Sequence, residues 1–110
     1  MGRMKRGDFV TIAMQGDWGK PRPALVVQSD ALAELQSVVV CPLTSDASGL
    51  GAVRIVIQPS EANGLRRVSY VMVDKPGTLP REKVGAVFGS ASAAEMGEVD
   101  KALMLVLGLS

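Results

Sequence analysis

A chain of 110 residues, 47% of them hydrophobic and 21% charged, has the content of one small folded domain and too little length for a second core. Twelve Lys and Arg against eleven Asp and Glu leave a formal charge of +1, so bulk charge cannot hold nucleic acid and any such role must rest on a local patch. With no His and one Cys, imidazole metal sites, Ser/His and Cys/His nucleophiles, paired-histidine ribonuclease chemistry and a disulfide framework are excluded. Arg, Lys, Asp, Glu, Ser, Thr and Tyr remain for catalysis.

In chain order, the segment from Met1 to Arg6 is positive but has no apolar run behind it, so it does not read as a secretory signal. Phe9 to Met14 alternates, with Val10, Ile12 and Met14 on one face and Thr11 and Ala13 on the other, which predicts a strand. Gln15 to Pro21 is a loop by composition. Ala24 to Gln28 predicts a second strand, and Asp30 to Leu35 a short helix or turn capped by Ser29 or Asp30. Ser37 to Leu43 reads as a buried strand that stops at Pro42, with Cys41 inside it as a small core residue rather than a reactive thiol.

Val53, Ile55 and Ile57 alternate with Arg54, Val56 and Gln58 in a further strand. Val68 to Asp74 is another, closed by Lys75-Pro76-Gly77, and Val84 to Phe88 a last short one. The carboxyl terminus differs in period. Ser92-Ala93-Ala94-Glu95 fits a capping box, Met96, Val99, Leu103 and Val106 recur at helical spacing, and Gly108 stands where a helix ends. The longest apolar run, Ala102 to Leu107, is far short of the ~20 residues of a membrane span, so a soluble cytoplasmic protein is expected. Five or six short strands and one terminal helix predict a mainly β fold, a small and strongly curved sheet or barrel capped by that helix.

Taken residue by residue, the polar positions have ordinary readings. Arg22, between Pro21 and Pro23, is an exposed loop arginine; Thr44-Ser45 is a turn with its own backbone hydrogen bonds; Asp74 starts a turn. Trp18, the one Trp, anchors its loop or stacks on a base or partner.

The order of the motifs is more specific than any one of them. Arg6-Gly7-Asp8 opens the first strand, Lys20-Pro21-Arg22-Pro23 the second, Pro42-Leu43-Thr44-Ser45 ends the third, and Val71-Met72-Val73-Asp74-Lys75-Pro76 ends the fifth. Val84-Gly85 and the helix through Leu107-Gly108-Leu109 complete the series. From about Met4 to Leu109 the sequence resembles the MazF/PemK/Kid family of toxin endoribonucleases from type II toxin–antitoxin systems. The implied organisation is one toxin domain over 4–110 with 1–3 as an amino-terminal extension. The resemblance further implies a small SH3-like barrel with a C-terminal α-helix, a twofold homodimer, a cognate antitoxin and metal-independent, cofactor-free cleavage of single-stranded mRNA. In that chemistry the 2′-hydroxyl attacks the adjacent phosphate, giving a 2′,3′-cyclic phosphate and a 5′-hydroxyl.

Carried over by position, the resemblance assigns Arg22 to the scissile phosphate, Thr44 to a phosphate oxygen or proton transfer, and Asp74 to the role of base or anchor for Arg22. Ser45, Lys20, Lys75, Thr78 and Trp18 are implied RNA contacts. The chain departs from the family where Gly77 and Ser90 stand in place of arginines, and where Met72 replaces a second Arg of some members; Lys20, Lys75, Arg66 and Arg67 can restore part of that charge. Two other readings share the fold. A CcdB-type gyrase poison ends in Trp-Gly-Ile, whereas this chain ends Leu107-Gly108-Leu109-Ser110. A catalytically degenerate SH3-like module needs an aromatic-lined groove, for which 4% aromatic residues is little.

Overall fold

A computed structural model describes residues 4–13, 20–49 and 51–109. Among these, seven strands make one curled antiparallel sheet, and a single α-helix follows them. The strands are β1 (Asp8–Ala13), β2 (Pro21–Val26), β3 (Ser37–Thr44), β4 (Arg54–Ile57), β5 (Ser69–Met72), β6 (Gly77–Pro80) and β7 (Val87–Ser90); the helix α1 is Ala93–Leu107. The order across the sheet is β4-β5-β3-β2-β1-β7, and β6 adds to the first half of β3. The mainly β half-barrel with its terminal helix is the expected class.

The central strands are apolar on both faces, and the sheet buries both. Phe9, Leu25, Val27, Cys41, Leu43, Ile57, Val71 and Val73 pack together with Val99 and Ala102 of α1. Val10, Ile12, Ala24, Val26, Val38 and Val40 form a second cluster on alternate positions, covered by Met4, Leu79 and Val84. The period-2 alternation therefore sorts the residues of β1, β2 and β3 between two cores. Phe9 is fully buried and stacks on Phe88 with ring centroids 6.1 Å apart.

Helix α1 starts where its capping box places it. The Glu95 amide donates to Ser92 Oγ at 3.1 Å, and the Ser92 amide to Glu95 Oε1 at 2.8 Å. Gly108 ends the helix in the left-handed conformation at φ 71°. Met96, Val99, Leu103 and Val106 all face the core. The opening Arg6-Gly7-Asp8 ties the first strand to the helix. Arg6 donates through Nε to the Val27 carbonyl at 2.9 Å, and its Nη2 meets Asp100 Oδ1 of α1 at 2.6 Å. Ser29 caps a single 3₁₀ turn, Asp30–Leu32, within the segment expected to be a short helix or turn.

The larger departures from the sequence expectation are at β2, β3, β6 and the last strand. Strand β2 begins at Pro21 rather than Ala24, so Arg22 lies in a strand, opposite Ile12 of β1, and not in a loop. Prolines are admitted there because β3 pairs with β2 only from Ala24 onward, which leaves Pro21 to Pro23 an edge on that side. Strand β3 runs past Pro42 to Thr44. On one flank its partner changes from β6, ending at Val40, to β5, beginning at Leu43; Pro42 falls in the gap, where a missing N–H costs little. Strand β6 is hidden by its Gly and Pro ends, and the last strand occupies Val87–Ser90 rather than Val84 to Phe88 because Arg81–Lys83 form a 3₁₀ turn before it.

Cys41 is fully buried, and burial, reinforced by the nearby charge of Asp74 and partly offset by Arg6, pushes its thiol up from 9.0 to about 11. The native protein is therefore expected to resist iodoacetamide at about pH 8, and to take up one label per chain in urea, read by intact mass. Because the unfolded thiol ionises first, this group also withdraws stability as pH rises from 9 toward 11. Rapid labelling of the native chain would contradict the buried placement.

Candidate active site

The strand ends bring several of the sequence candidates into one cleft of about 420 Å³. Arg22 on β2, Thr44 at the end of β3 and the following Ser45 line it, together with Arg66, Arg67 and Ser69. Pro23, Pro42, Leu43, Leu65 and Met72 form its apolar wall. Among the described lining residues there is no Asp or Glu, and three of the chain's twelve basic side chains face this one small space. This is the local patch that a net charge of +1 demands of an anion-binding protein.

Thr44 carries the turn chemistry expected of it. The Asp46 amide donates to Thr44 Oγ1 at 3.1 Å, so the backbone occupies a lone pair of this oxygen, and the hydroxyl proton is left to donate. Asp46 accepts from both the amide and the hydroxyl of Ser48 at 2.9 Å, which holds its carboxyl below the usual carboxylate range. The loop after Thr44 is thereby knotted by its own side chains, and the hydroxyl at its head has a fixed position.

Asp74 is not in the wall of that cleft. It follows β5, where its Oδ1 faces Arg54 Nε at 3.4 Å. That nitrogen is buried and makes no hydrogen bond, so the contact is one of charge; Arg54 offers no signal in the sequence beyond its place in an alternating strand. Lys75 and Thr78 line a second cavity of about 370 Å³, with Ile12, Val40 and Leu79 behind them. Pro42 borders both cavities, so the two adjoin along β3. Lys20 is exposed immediately before β2, and Trp18 lies outside the described residues.

A roomier cavity, about 590 Å³, lies elsewhere, between Leu35-Gln36 and Pro80-Arg81. Arg81, the guanidinium among its described lining residues, is already engaged by the main-chain carbonyls of Leu35 and Leu32, and Glu34 and Glu82 stand beside it. Size without free positive charge does not suit an anion. Among the described residues no three His, Cys, Asp or Glu side chains gather as a metal site, and no helix is long and apolar enough to cross a membrane.

A sequence model of the family described as PemK-like, MazF-like toxin of type II toxin-antitoxin system matches residues 5–107. The chain is 39% identical over 108 residues to the probable endoribonuclease MazF of Mycolicibacterium smegmatis, covering 97% of this chain and 99% of that one. It is similar in structure to an endoribonuclease in complex with its cognate antitoxin from a mycobacterial species, with a TM-score of 0.83 and 25% identity over 98% of each chain. A MazE–MazF crystal structure from Deinococcus radiodurans also matches, with a TM-score of 0.79 and 26% identity over the whole of both chains.

Proposed function

Since the chain belongs to the PemK-like, MazF-like toxins of type II toxin–antitoxin systems, we propose that it is a sequence-specific, metal-independent endoribonuclease acting on single-stranded mRNA. The observation that carries the reading is the meeting of Arg22 and Thr44, from two different strands, in a cleft that Arg66 and Arg67 also line. Developing charge on a pentacoordinate phosphate needs such donors in place before reaction.

The 2′-oxygen of the ribose forms a bond to the adjacent phosphorus while the bond from phosphorus to the 5′-oxygen breaks. The proton leaves the 2′-hydroxyl, and a proton reaches the departing 5′-oxygen. Arg22 supplies the planar, permanently charged fork for the phosphorane. The Thr44 hydroxyl, with its oxygen engaged by Asp46, donates to a non-bridging oxygen, and Ser45 assists. The family resemblance assigns Asp74 the 2′-hydroxyl proton; since it stands outside the cleft wall with Oδ1 facing Arg54, the role requires the attacking ribose to lie at the edge of the cleft. An RNA strand crossing Pro42 from one cavity to the other meets Lys75 and Thr78 after Arg22, with Lys20 on the approach.

In the same proposal the working unit is a homodimer in the cytoplasm, and a cognate antitoxin silences it by laying an acidic segment over Arg22. Large apolar side chains left exposed in the single chain, Leu105, Leu107 and Leu109 among them, support a further copy or partner. The test is a defined long RNA incubated with purified protein in EDTA, with fragment ends mapped. Cleavage with 2′,3′-cyclic phosphate ends is expected, and resistance when the nucleotide at the cut carries 2′-deoxyribose. Cutting of the deoxy substrate, or 5′-phosphate products, would overturn the mechanism.

A further inference from the structure

Two of the guanidinium groups in the cleft have no part in the chemistry above, and their setting differs from that of other surface arginines. Arg6 is engaged by Val27 and Asp100, Arg54 faces Asp74, and Arg81 is bound to two carbonyls. Arg66 and Arg67 are exposed, line the cleft, and have no ion-pair or hydrogen-bond partner for their side chains among the described residues.

Their main chain, by comparison, is tied on both sides. On the amino side, the Leu65 amide donates to Asn63 Oδ1 at 3.0 Å, and Leu65 packs against the core. On the carboxyl side, Ser69 Oγ donates to the Arg67 carbonyl at 3.2 Å, and Ser69 is buried in register with Ile57. Asn63 is itself fixed, 1% exposed, with its Nδ2 donating to the Gln58 carbonyl at 2.7 Å and its Oδ1 also accepting from the Ser60 amide. The segment is joined to the far edge of the sheet where the Ser90 amide donates to the Ala62 carbonyl at 3.0 Å.

A fixed backbone presenting these two cations into a cleft with no Asp or Glu among its described lining residues is preorganised for anions, because little ordering remains to be done on binding. We infer that Arg66 and Arg67 form a second phosphate-binding element, which grips the backbone phosphates flanking the cleaved bond and sets RNA affinity rather than the rate of the chemical step. This rests on the RNA-cleaving reading and adds to it the source of the grip. The ligand chemistry is that of a phosphodiester chain, since two adjacent forks facing one groove suit successive phosphates better than a single carboxylate.

The test uses the full-length protein with a labelled RNA carrying 2′-deoxyribose at the cut site for binding, and its all-ribose counterpart for cleavage. R66Q/R67Q is expected to weaken binding about tenfold at about 0.1 M salt, and to flatten the plot of log affinity against log salt by about 1.4, or ~0.7 for each phosphate no longer neutralised. KM rises in step while kcat at saturation stays within about twofold. R66K/R67K keeps the salt slope, because charge is retained, but recovers only part of the affinity. K83Q/K101Q, which removes two exposed lysines outside the cleft, should change neither.

Wild-type affinity and slope in R66Q/R67Q would overturn the inference. So would an equal effect from the remote lysine pair, which would mean bulk charge, or a fall in kcat with binding intact. A wild-type protein that neither binds nor cuts RNA would instead remove the function proposed above, so the two failures are told apart.

Discussion

Arg22→Ala is expected to slow RNA cleavage by about 10²–10⁴-fold, roughly 3–5 kcal/mol of barrier, while the protein stays folded. The size follows from where the group acts. A side chain that is charged at every working pH and aimed at a phosphorane works mostly in the transition state, so its loss lowers kcat more than it raises KM. The fold should tolerate the change because Arg22 is exposed at the start of β2, where only β1 pairs with it. Truncation at such an edge costs at most about 1 kcal/mol. Arg22→Lys keeps the charge but not the fork and should recover part of the rate. Single-turnover cleavage at saturating protein, alongside thermal melts, makes the measurement. A folded Arg22→Ala variant cutting at the wild-type rate would remove Arg22 from the active site.

Asn63→Ala is expected to cost about 3 kcal/mol of stability. One side chain satisfies three main-chain groups: it accepts from the amides of Ser60 and Leu65 and donates to the Gln58 carbonyl. Truncation leaves all three without that partner in a site that is 1% exposed. The loop cannot relax easily, since Gly64 holds φ 67° and a Cβ at Gly89 would collide with the Asn63 backbone. Urea denaturation reads the result as a lower midpoint at unchanged slope. A destabilisation below about 0.5 kcal/mol would show that water replaces the side chain and that the loop is not fixed by it.

How legible the fold is in the sequence depends on what each signal rests on. The helix can be read from both ends because capping is local chemistry: Ser92, Glu95 and Gly108 act within one turn of their own positions. Strands with a two-residue period are legible too, since Val10 and Ile12 share a face of the sheet. The boundaries at Pro21, Pro42 and Pro80 escape such a reading because a proline's tolerance depends on which flank of the strand is unpaired, and that is settled by distant partners.

The site divides in the same way. Arg22, Thr44 and Ser45 are singled out by motif order and stand together in one cleft. Lys75 and Thr78 are singled out with them and line the adjoining cavity. Asp74 takes a partner, Arg54, that no spacing announces. Arg66 and Arg67 are visible in the sequence only as charges, since what distinguishes them is the anchoring by Asn63 and Ser69 of the chain beneath them.

The pairing of β1 with β7 bears on the order in which the molecule is made. Phe9 lies opposite Gly89, and Arg6 reaches Asp100, so the first strand is closed by residues that leave the ribosome long after it. Contacts of such separation must overcome loop entropy before they stabilise anything, which makes folding slow and cooperative. A growing chain that has emerged only through β6 has β1 with an open edge and no helix over Phe9. Synthesis has to pass β7 before the strand opposite Arg22 is held on both sides.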